Sequence, residues 1–483
     1  MVLARLLHRS IGFISTLILA RLLIPEDFGL VAMVMIIVAI LDLLGAFGFD
    51  MALIQNQNAT TDHYNTAWTF NVIYGVVSAL LMVLLAQPTA EFYNEPRLEN
   101  IMYALSFGVF IFGFTNIGIV DFRKKFFFQK EFKYLVGSKL FSFAVTIPLA
   151  FYLKNYWALV IGMVSGKLMS FTLSYIMHSY RPHLSLAKSA ELFHYSKWLL
   201  LNNVFFFIKT RSIDLIIGKI SGPHKLGIFS ISYEISSLPS TEMVMPINRA
   251  IFPGFSKIST ELENLRDNFM SVVSVVSIFS MPSAFGIAIL SELVVGVILG
   301  SKWMDAIPVI EILAFFGAVV AMQSNNGMIY LAVGKPKILT LISGIYSLIL
   351  IPTLIFAVTY YGIIGASWGL LAVALLFLFI DSFVVIRTIR VNVFSLLFIW
   401  LRPLVASIVM FLCLKFLLDN YVSMDDSINH LLSLMFLIVI GAVVYFSTLY
   451  AIWLVFGKPK YGEFHILGFV NKWISAKFSR PNT

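Results

Sequence analysis

The pattern of hydrophobic and polar positions consists of long apolar runs separated by short polar links. A helix needs about 20 apolar residues to cross a bilayer, and runs of that length recur along the whole chain. They predict roughly fourteen membrane-spanning helices. The predicted spans are 3–23, 28–50, 66–86, 99–119, 134–153, 156–179, 196–218, 226–250, 269–290, 305–331, 338–357, 361–386, 396–418 and 431–456.

The links between the spans are too short to form a sizeable soluble domain. Hydrophobic residues make up 59% of the chain and charged residues 12%, against roughly 45–50% and 25% in soluble domains. The sequence therefore predicts an all-α polytopic membrane protein whose function lies within the bilayer. The single cysteine, Cys413, excludes a disulfide framework. We expect no cofactor and no bound metal.

The distribution of basic residues predicts the orientation. If the N-terminus is cytoplasmic, 21 basic residues fall on the cytoplasmic side and 5 on the opposite side. This positive-inside bias places both termini in the cytoplasm. The net charge of +9 is then mainly an orientation signal with some attraction to anionic lipid. It does not indicate a nucleic-acid partner.

The remaining eight basic residues lie within the spans or at their edges. A cation at a helix centre costs about 2.5–3.5 kcal/mol on insertion scales, so the deeper ones favour a hydrated cavity. We expect Arg402 and Lys415 to snorkel from helix ends instead. The eight residues are Arg21, Lys139, Lys167, Lys209, Arg211, Arg249, Arg402 and Lys415.

Helical spacing groups some of these charges. Arg211 and Asp214 are three residues apart, which suits either an ion pair within one helix or a contact with substrate. Glu234, Glu242 and Arg249 fall close to one stripe of the next helix. A polar break, 323–327, interrupts an apolar helix and predicts either a kink or a ligand contact. The candidate polar or ion-coupling residues are Asp42, Asp214, Glu234, Glu242, Asn325 and Asp381.

Internal repetition predicts the domain organisation. Pro25 and Gly29 match Pro223 and Gly227 at an offset of 198 residues, and a basic residue precedes each pair. Parallel repeats of this kind are a transporter device in which two bundles rock about a site at their interface. We predict an N-lobe of about helices 1–6, a C-lobe of about helices 7–12, two additional helices and a basic cytoplasmic tail. Their bounds are 1–190, 191–390, 391–456 and 457–483.

Four stretches carry a resemblance to a known family. They are 19–33 (LARLLIPEDFGLVAM), 48–55 (GFDMALIQ), 246–253 (PINRAIFP) and 299–303 (LGSKW). The chain resembles the Wzx-type polysaccharide flippases, and is closest to the colanic-acid-exporter-like branch of the multidrug/oligosaccharidyl-lipid/polysaccharide exporter superfamily. Members usually begin with a longer basic stretch, so the resemblance implies a start that is truncated or misassigned.

The resemblance implies translocation of undecaprenyl-pyrophosphate-linked oligosaccharide repeat units from the cytoplasmic to the periplasmic leaflet of the bacterial inner membrane by alternating access. The units would serve lipopolysaccharide or exopolysaccharide biosynthesis, with membrane lipids and the polysaccharide polymerase machinery as partners. Arg21 and Arg249 are implied as gate and phosphate contacts. The candidates for the cavity wall are Lys139, Lys167, Lys209 and Arg211.

Two other functions stay open. An ion-coupled multidrug or organic-cation extruder of the same fold would use buried carboxylates. Asp42, Glu234 and Asp381 are acids within predicted spans, so this alternative stays open. A membrane-embedded glycosyltransferase or polymerase would show a large acidic loop outside the membrane, whereas the loops here are short. We therefore expect a transporter and not an enzyme.

Overall fold

The computed structural model describes residues 2–45, 49–244, 262–421, 427–459 and 461–464. These residues are nearly all helical, and no β-strand occurs among them. A helix satisfies its own backbone hydrogen bonds, which a bilayer cannot do, so an apolar chain of this composition folds into helices. Of the predicted site residues, Arg249 lies outside the described residues, as do the side chains of Lys209 and Glu242. Those predictions stay open.

The chain forms two compact units, Met1–Ser230 and Ile231–Thr483. Unit 1 contains α1 (Val2–Leu22), α2 (Pro25–Gly45), α3 (Phe49–Gln55), α4 (Thr61–Tyr93), α5 (Arg97–Gly113), α6 (Val120–Lys124), α7 (Phe128–Leu153), α8 (Trp157–Met177) and most of α9 (Ser189–Leu238). Within it, α4 packs against α5, α7 against α8, α5 against α8 and α1 against α7.

Unit 2 begins with the end of α9. It continues with α10 (Leu262–Ile289), α11 (Ser291–Val294), α12 (Ile307–Gln323), α13 (Asn326–Ala332), α14 (Pro336–Ile389), α15 (Val393–Tyr421) and α16 (Ser427–Val455). Within this unit, α10 packs against α12 and α15, α12 against α14, and α15 against α16. Short 3-10 or π-helical turns occupy Ile117–Ile119, Pro239–Val244, Val295–Leu299 and Ser301–Ala306.

Two long helical runs each contain a sharp break at a glycine. The 50-residue α9 breaks at Gly222, where φ is +79°, and the 54-residue α14 breaks at Gly362, where φ is +62°. Residues other than glycine rarely adopt this left-handed backbone conformation, so glycine is the residue suited to both turns. Gly222 lies between the predicted spans 196–218 and 226–250, and Gly362 lies just inside the start of the predicted span 361–386. Whether each run crosses the membrane twice, as the apolar pattern predicts, stays a prediction.

The described part of the chain contains eight helices that are long and apolar enough to cross a membrane. The number becomes nine if the bent pair formed by α5 and Ile117–Lys124 is one span. This confirms a multi-pass, all-α membrane architecture. The total of about fourteen spans, the cytoplasmic termini and the repeat-based lobe boundaries stay predictions, since units defined by contacts are not the same as repeats.

The prediction that Arg402 snorkels to the membrane surface is wrong. Its side chain is only 2% exposed, and its Nη1 lies 2.8 Å from Oε1 of Glu463, which is 6% exposed. The backbone N–H of Gly462, a few residues after α16, donates to Ser274 Oγ on α10 at 3.1 Å. The start of the predicted tail is therefore packed against α10 and α15.

Candidate functional site

Two of the predicted cavity lysines are half-buried within spans of unit 1. The stem of Lys139, on α7, passes beside Gly12 of α1, and the stem of Lys167, on α8, passes beside Gly108 of α5. Because glycine has no side chain, both stems can lie close to the neighbouring helix. The ammonium group of Lys167 lies 5.9 Å from the centre of the Phe112 ring, within cation–π range.

The carboxylate of Asp42 lies on α2, near Lys167, and interacts with this lysine electrostatically. Tyr74 on α4 donates a hydrogen bond to Asp42 at 2.6 Å. The two groups of opposite charge lower each other's cost within a membrane span. The structure thus brings Asp42 and Lys167 into one electrostatic neighbourhood.

The other two described bases of the predicted site in unit 1 have different surroundings. Arg211 Nη1 lies 3.3 Å from Asp214 Oδ2, so the predicted ion pair within α9 is confirmed. Their side chains are 43% and 17% exposed, which leaves the guanidinium accessible. Arg21 is exposed at the end of α1. Whether either base contacts a substrate stays a prediction.

The acidic pair that follows Pro25 has two separate structural roles. Asp27 is buried and accepts hydrogen bonds from the backbone N–H groups of Ile24 at 3.1 Å and Tyr156 at 2.9 Å. It therefore caps α2 and connects it to the start of α8. The second contact joins residues that are distant in sequence, and sequence reasoning missed it.

Glu26 forms an ion pair with Arg97 at the start of α5. Arg97 also binds Glu95 in a bidentate arrangement, with two N–O distances of 2.7 Å. These hydrogen bonds hold the pKa of Glu95 below its usual value. Sequence reasoning did not assign Arg97 a role, because its partner on α2 is remote in sequence.

The two copies of the repeated motif contact each other reciprocally within unit 1. A Cβ atom added at Gly29 would overlap the carbonyl oxygen of Pro223, and one added at Gly227 would overlap that of Pro25. Only glycine fits either position without movement of the backbone. The motif that opens α2 is therefore half of a close backbone contact between two helix starts.

The polar break 323–327 interrupts the helix in unit 2, since α12 ends at Gln323 and α13 begins at Asn326. Asn326 donates a hydrogen bond to Asp381 Oδ2 at 2.9 Å, and Tyr330 donates one to Asp381 Oδ1 at 2.6 Å. Asp381 lies on α14 and is 8% exposed. The break thus supplies polar groups that hold a buried carboxylate of another helix.

Asn325 is fully buried beside this cluster. Neither its Oδ1 nor its Nδ2 has a hydrogen-bond partner in the part of the chain that the structure describes. Buried amides normally have partners, so this one has capacity to bind a ligand, an ion or water. Glu234, another predicted polar residue of unit 2, is half-buried on α9.

A cavity of about 510 Å³ lies among α10, α12 and α15 of unit 2. Its wall includes Phe285, Glu292, Glu311, Lys415 and Asp419. Lys415 is exposed near the end of α15 and lines the same cavity as these carboxylates, and its predicted snorkelling stays a prediction. Among the described residues, no group of three or more His, Cys, Asp or Glu is placed to hold a metal ion.

The fold and its charged spans define the class of protein, a polytopic all-α membrane protein. One solved structure with a similar fold is titled lipid II flippase MurJ in an inward closed conformation, with a TM-score of 0.74 and 13% identity. The match covers 94% of this chain and 98% of that one. Residues 18–308 match the family described as polysaccharide biosynthesis protein. The chain belongs to that family.

Two curated relatives extend the comparison. The lipopolysaccharide biosynthesis protein WzxC of Escherichia coli is 25% identical over 386 residues, which cover 78% of each chain. The succinoglycan biosynthesis transport protein ExoT of Rhizobium meliloti is 24% identical, over 90% of this chain and 88% of its own. The resemblance to Wzx-type flippases found in the sequence is confirmed at the level of the family.

Proposed function

We propose that this protein flips an undecaprenyl-pyrophosphate-linked oligosaccharide across the bacterial inner membrane, from the cytoplasmic to the periplasmic leaflet, for surface polysaccharide biosynthesis. The observation that carries the proposal is the presence of half-buried lysines in spans of unit 1, combined with membership of a polysaccharide biosynthesis family. We infer no catalytic role, and the polymerase machinery that would use the flipped unit is the proposed partner.

The charge of the substrate explains the need for these bases. A pyrophosphate carries several negative charges and cannot cross hydrocarbon unaided, because an ion loses its hydration there. Ammonium and guanidinium groups replace water as hydrogen-bond donors to phosphate oxygens. Arg21, Lys139, Lys167 and Arg211 are the described candidates for this role, and Lys209 and Arg249 complete the set. The isoprenoid tail stays in lipid while the head group crosses.

The reciprocal contact at Gly29 and Gly227 is the proposed gate on the periplasmic side. Two helix starts that meet backbone to backbone leave no room for a sugar between them. Release of the substrate then requires that Pro25 separate from Gly227 and Pro223 from Gly29. This is the rocking step expected of parallel repeats.

Asp381, Asn325 and Asn326 are the proposed ion-coupling group, with Asp42, Asp214, Glu234 and Glu242 as further candidates. Asp381 supplies a buried carboxylate, and the amide of Asn325 has no partner among the described residues. Carboxylate and amide oxygens are suitable ligands for a hard cation, and a carboxylate also takes up a proton. Either event would change the charge in the middle of unit 2 during the cycle.

The test is translocation in proteoliposomes, with a labelled polyprenyl-pyrophosphate oligosaccharide and a reagent that reaches only the outer leaflet. We expect protein-dependent exposure of the label. Loss of a hydrogen bond to a charged group costs about 1.5–3 kcal/mol, so Lys167→Gln should slow exposure about 10- to 100-fold. Lys335→Gln, at an exposed loop position, is the matched control and should be as active as wild type.

Two results would contradict the proposal. If the wild-type protein exposes no label but exports an organic cation with proton coupling, the protein is the extruder of the same fold. If wild-type protein is active and Lys139→Gln, Lys167→Gln and Arg211→Gln are all as active as Lys335→Gln, the basic site of unit 1 is wrong. Helical content measured by circular dichroism separates loss of folding from loss of transport.

A further inference from the structure

An aromatic and basic segment stands out on the surface of unit 1, away from the proposed cavity. It runs Lys125-Phe126-Phe127-Phe128-Gln129-Lys130, and all six residues are exposed. The three phenylalanines are 73%, 50% and 43% exposed. Exposure of three adjacent aromatic rings to water is energetically unfavourable, so this surface is expected to contact a partner. We call residues 125–133 the aromatic-basic turn.

Backbone geometry directs the rings outward. The turn joins α6 to α7, and Phe126 at its centre has a φ of +57°. A bulky aromatic residue rarely adopts this left-handed conformation. The rings of Phe126 and Phe128 contact each other edge to face, with centroids 5.7 Å apart. The local fold therefore retains a strained residue at a turn that presents its rings to the surroundings.

The lysines of the turn are exposed, whereas the acidic residues next to it are buried or paired. Its acidic neighbours are buried or bound, since Asp121 pairs with Lys125 at 2.6 Å and Arg123 lies 3.2 Å from Asp50. Arg123 also lies 3.7 Å from Glu131, and both Asp121 and Glu131 are 8% exposed. The lysines at 125, 130 and 133 are exposed. The outer face of the turn therefore presents exposed lysines, while Asp121 and Glu131 lie buried beneath it and Asp50, 43% exposed, is paired with Arg123.

We propose that the aromatic-basic turn binds the anionic phospholipids of the adjacent leaflet, with its phenylalanine rings among the upper acyl chains and its lysines on the lipid phosphates. Its position supports a lipid and not a soluble partner, because α7 begins at Phe128 and is apolar enough to span the membrane. The end of a spanning helix lies at head-group depth. Aromatic rings and basic side chains are both favoured there, the latter by negative lipid charge.

Lys130 already shows how its ammonium group combines with the rings. Its Nζ lies 5.5 Å from the centre of the Phe127 ring and 5.9 Å from that of Phe122. In that position, it reaches outward over an apolar base, as a phosphate-binding lysine at an interface would. The binding is independent of what the protein transports, so its failure would leave the proposed function unaffected.

The test measures which lipid surrounds the turn. Phe127→Trp protein is placed in nanodiscs of phosphatidylcholine and phosphatidylglycerol in equal parts, with brominated acyl chains on one lipid or the other. The quenching of the eight native tryptophans is subtracted with wild-type protein. We expect brominated phosphatidylglycerol to quench the new fluorophore more strongly. In Lys130→Gln/Lys133→Gln protein, that enrichment should fall about fivefold for each lysine removed.

Two matched controls separate this site from general membrane contact. Tyr360→Trp places the fluorophore at a 70% exposed aromatic position with no basic residue between Lys337 and Arg387, so both lipids should quench it equally. Lys335→Gln/Lys337→Gln removes two exposed lysines elsewhere and should leave the enrichment at position 127 unchanged.

Three results would overturn the proposal. Equal quenching by the two lipids at position 127 would show that lipid charge is not recognised. Enrichment that persists without Lys130 and Lys133 would show that these lysines do not carry it. Protection of the fluorophore from both brominated lipids would show that the turn faces another protein surface and not the membrane.

Discussion

The ion pair between Arg402 and Glu463 leads to a stability prediction with a definite size. Arg402 is 2% exposed, and apart from the ion pair neither of its Nη atoms has a hydrogen-bond partner among the described residues. Its Nε makes only a long contact of 3.4 Å with the carbonyl oxygen of Phe398. Removal of Glu463 therefore leaves a buried guanidinium almost uncompensated.

Breaking a buried ion pair by removing one partner costs about 3–5 kcal/mol, whereas replacing both partners by apolar residues is often neutral or stabilising. We expect Glu463→Ala to destabilise unit 2 by about 3–5 kcal/mol. Arg402→Met should also destabilise unit 2, because it leaves the buried carboxylate of Glu463 without its partner. The double variant Arg402→Met/Glu463→Leu should be close to wild type.

A double-mutant cycle measures the interaction. The midpoint of thermal unfolding in detergent is recorded for the four proteins, and about 2–4 °C per kcal/mol is the scale for a domain near the size of unit 2. Glu463→Ala should therefore lower the midpoint by about 6–20 °C. A matched control is Glu263→Ala, whose carboxylate is 83% exposed in its ion pair with Arg266 and should matter little.

Two results would refute the reasoning. If Arg402→Met and Glu463→Ala are both as stable as wild type, Arg402 snorkels as the sequence suggested and the ion pair has no energetic role. If the double variant is as unstable as the sum of the single ones, the coupling is zero and the charges act separately.

Three further predictions follow from other contacts. Gly29→Val should abolish transport because its side chain would overlap a backbone carbonyl, whereas Gly344→Ala, with no atom within 4 Å of the added carbon, should be fully active in the same liposome assay. Hydrogen bonds from Arg97 lower the pKa of Glu95 in the folded protein. Their contribution to stability is therefore complete above the unfolded pKa of about 4.3 and is lost as the pH falls through the lower folded pKa. The thermal unfolding midpoint of Arg97→Gln protein should fall less than that of wild type when the pH is lowered through this range. Tyr330→Phe removes a 2.6 Å hydrogen bond to the buried carboxylate on α14 and should lower the free energy of unfolding by about 1–3 kcal/mol in denaturant titration.

Local chemistry made the helix breaks predictable. Pro25 cannot continue a preceding helix, and α1 ends at Leu22 while α2 begins at Pro25. Gly222 lies in a short polar link between two predicted spans, and Gly362 follows two tyrosines at the start of the predicted span 361–386; both are breaks in the structure. Each of these features depends on a residue and its immediate neighbours, which a single sequence contains.

Contacts between distant residues were not predictable in the same way. The position of Arg402 within a span suggested a snorkelling side chain, because its partner Glu463 belongs to what looked like a polar tail. Arg97 likewise had no role assigned from the sequence, although it bridges Glu26 and Glu95. Nothing in the local sequence marks which acid will reach which base. Only the packing of the helices decides that.

The repeated motif is the one long-range feature that the sequence did contain. An offset built on one proline and one glycine is weak evidence alone, but Gly29 contacts Pro223 and Gly227 contacts Pro25. A contact in which residue i of one copy touches residue j of the other, and j touches i, is the pattern that a two-fold axis produces. The two segments are therefore related locally by such an axis, and a substitution in one copy should have its counterpart in the other. Gly227→Val should impair transport as severely as Gly29→Val, and a fully active Gly227→Val protein would show that the two copies are not equivalent.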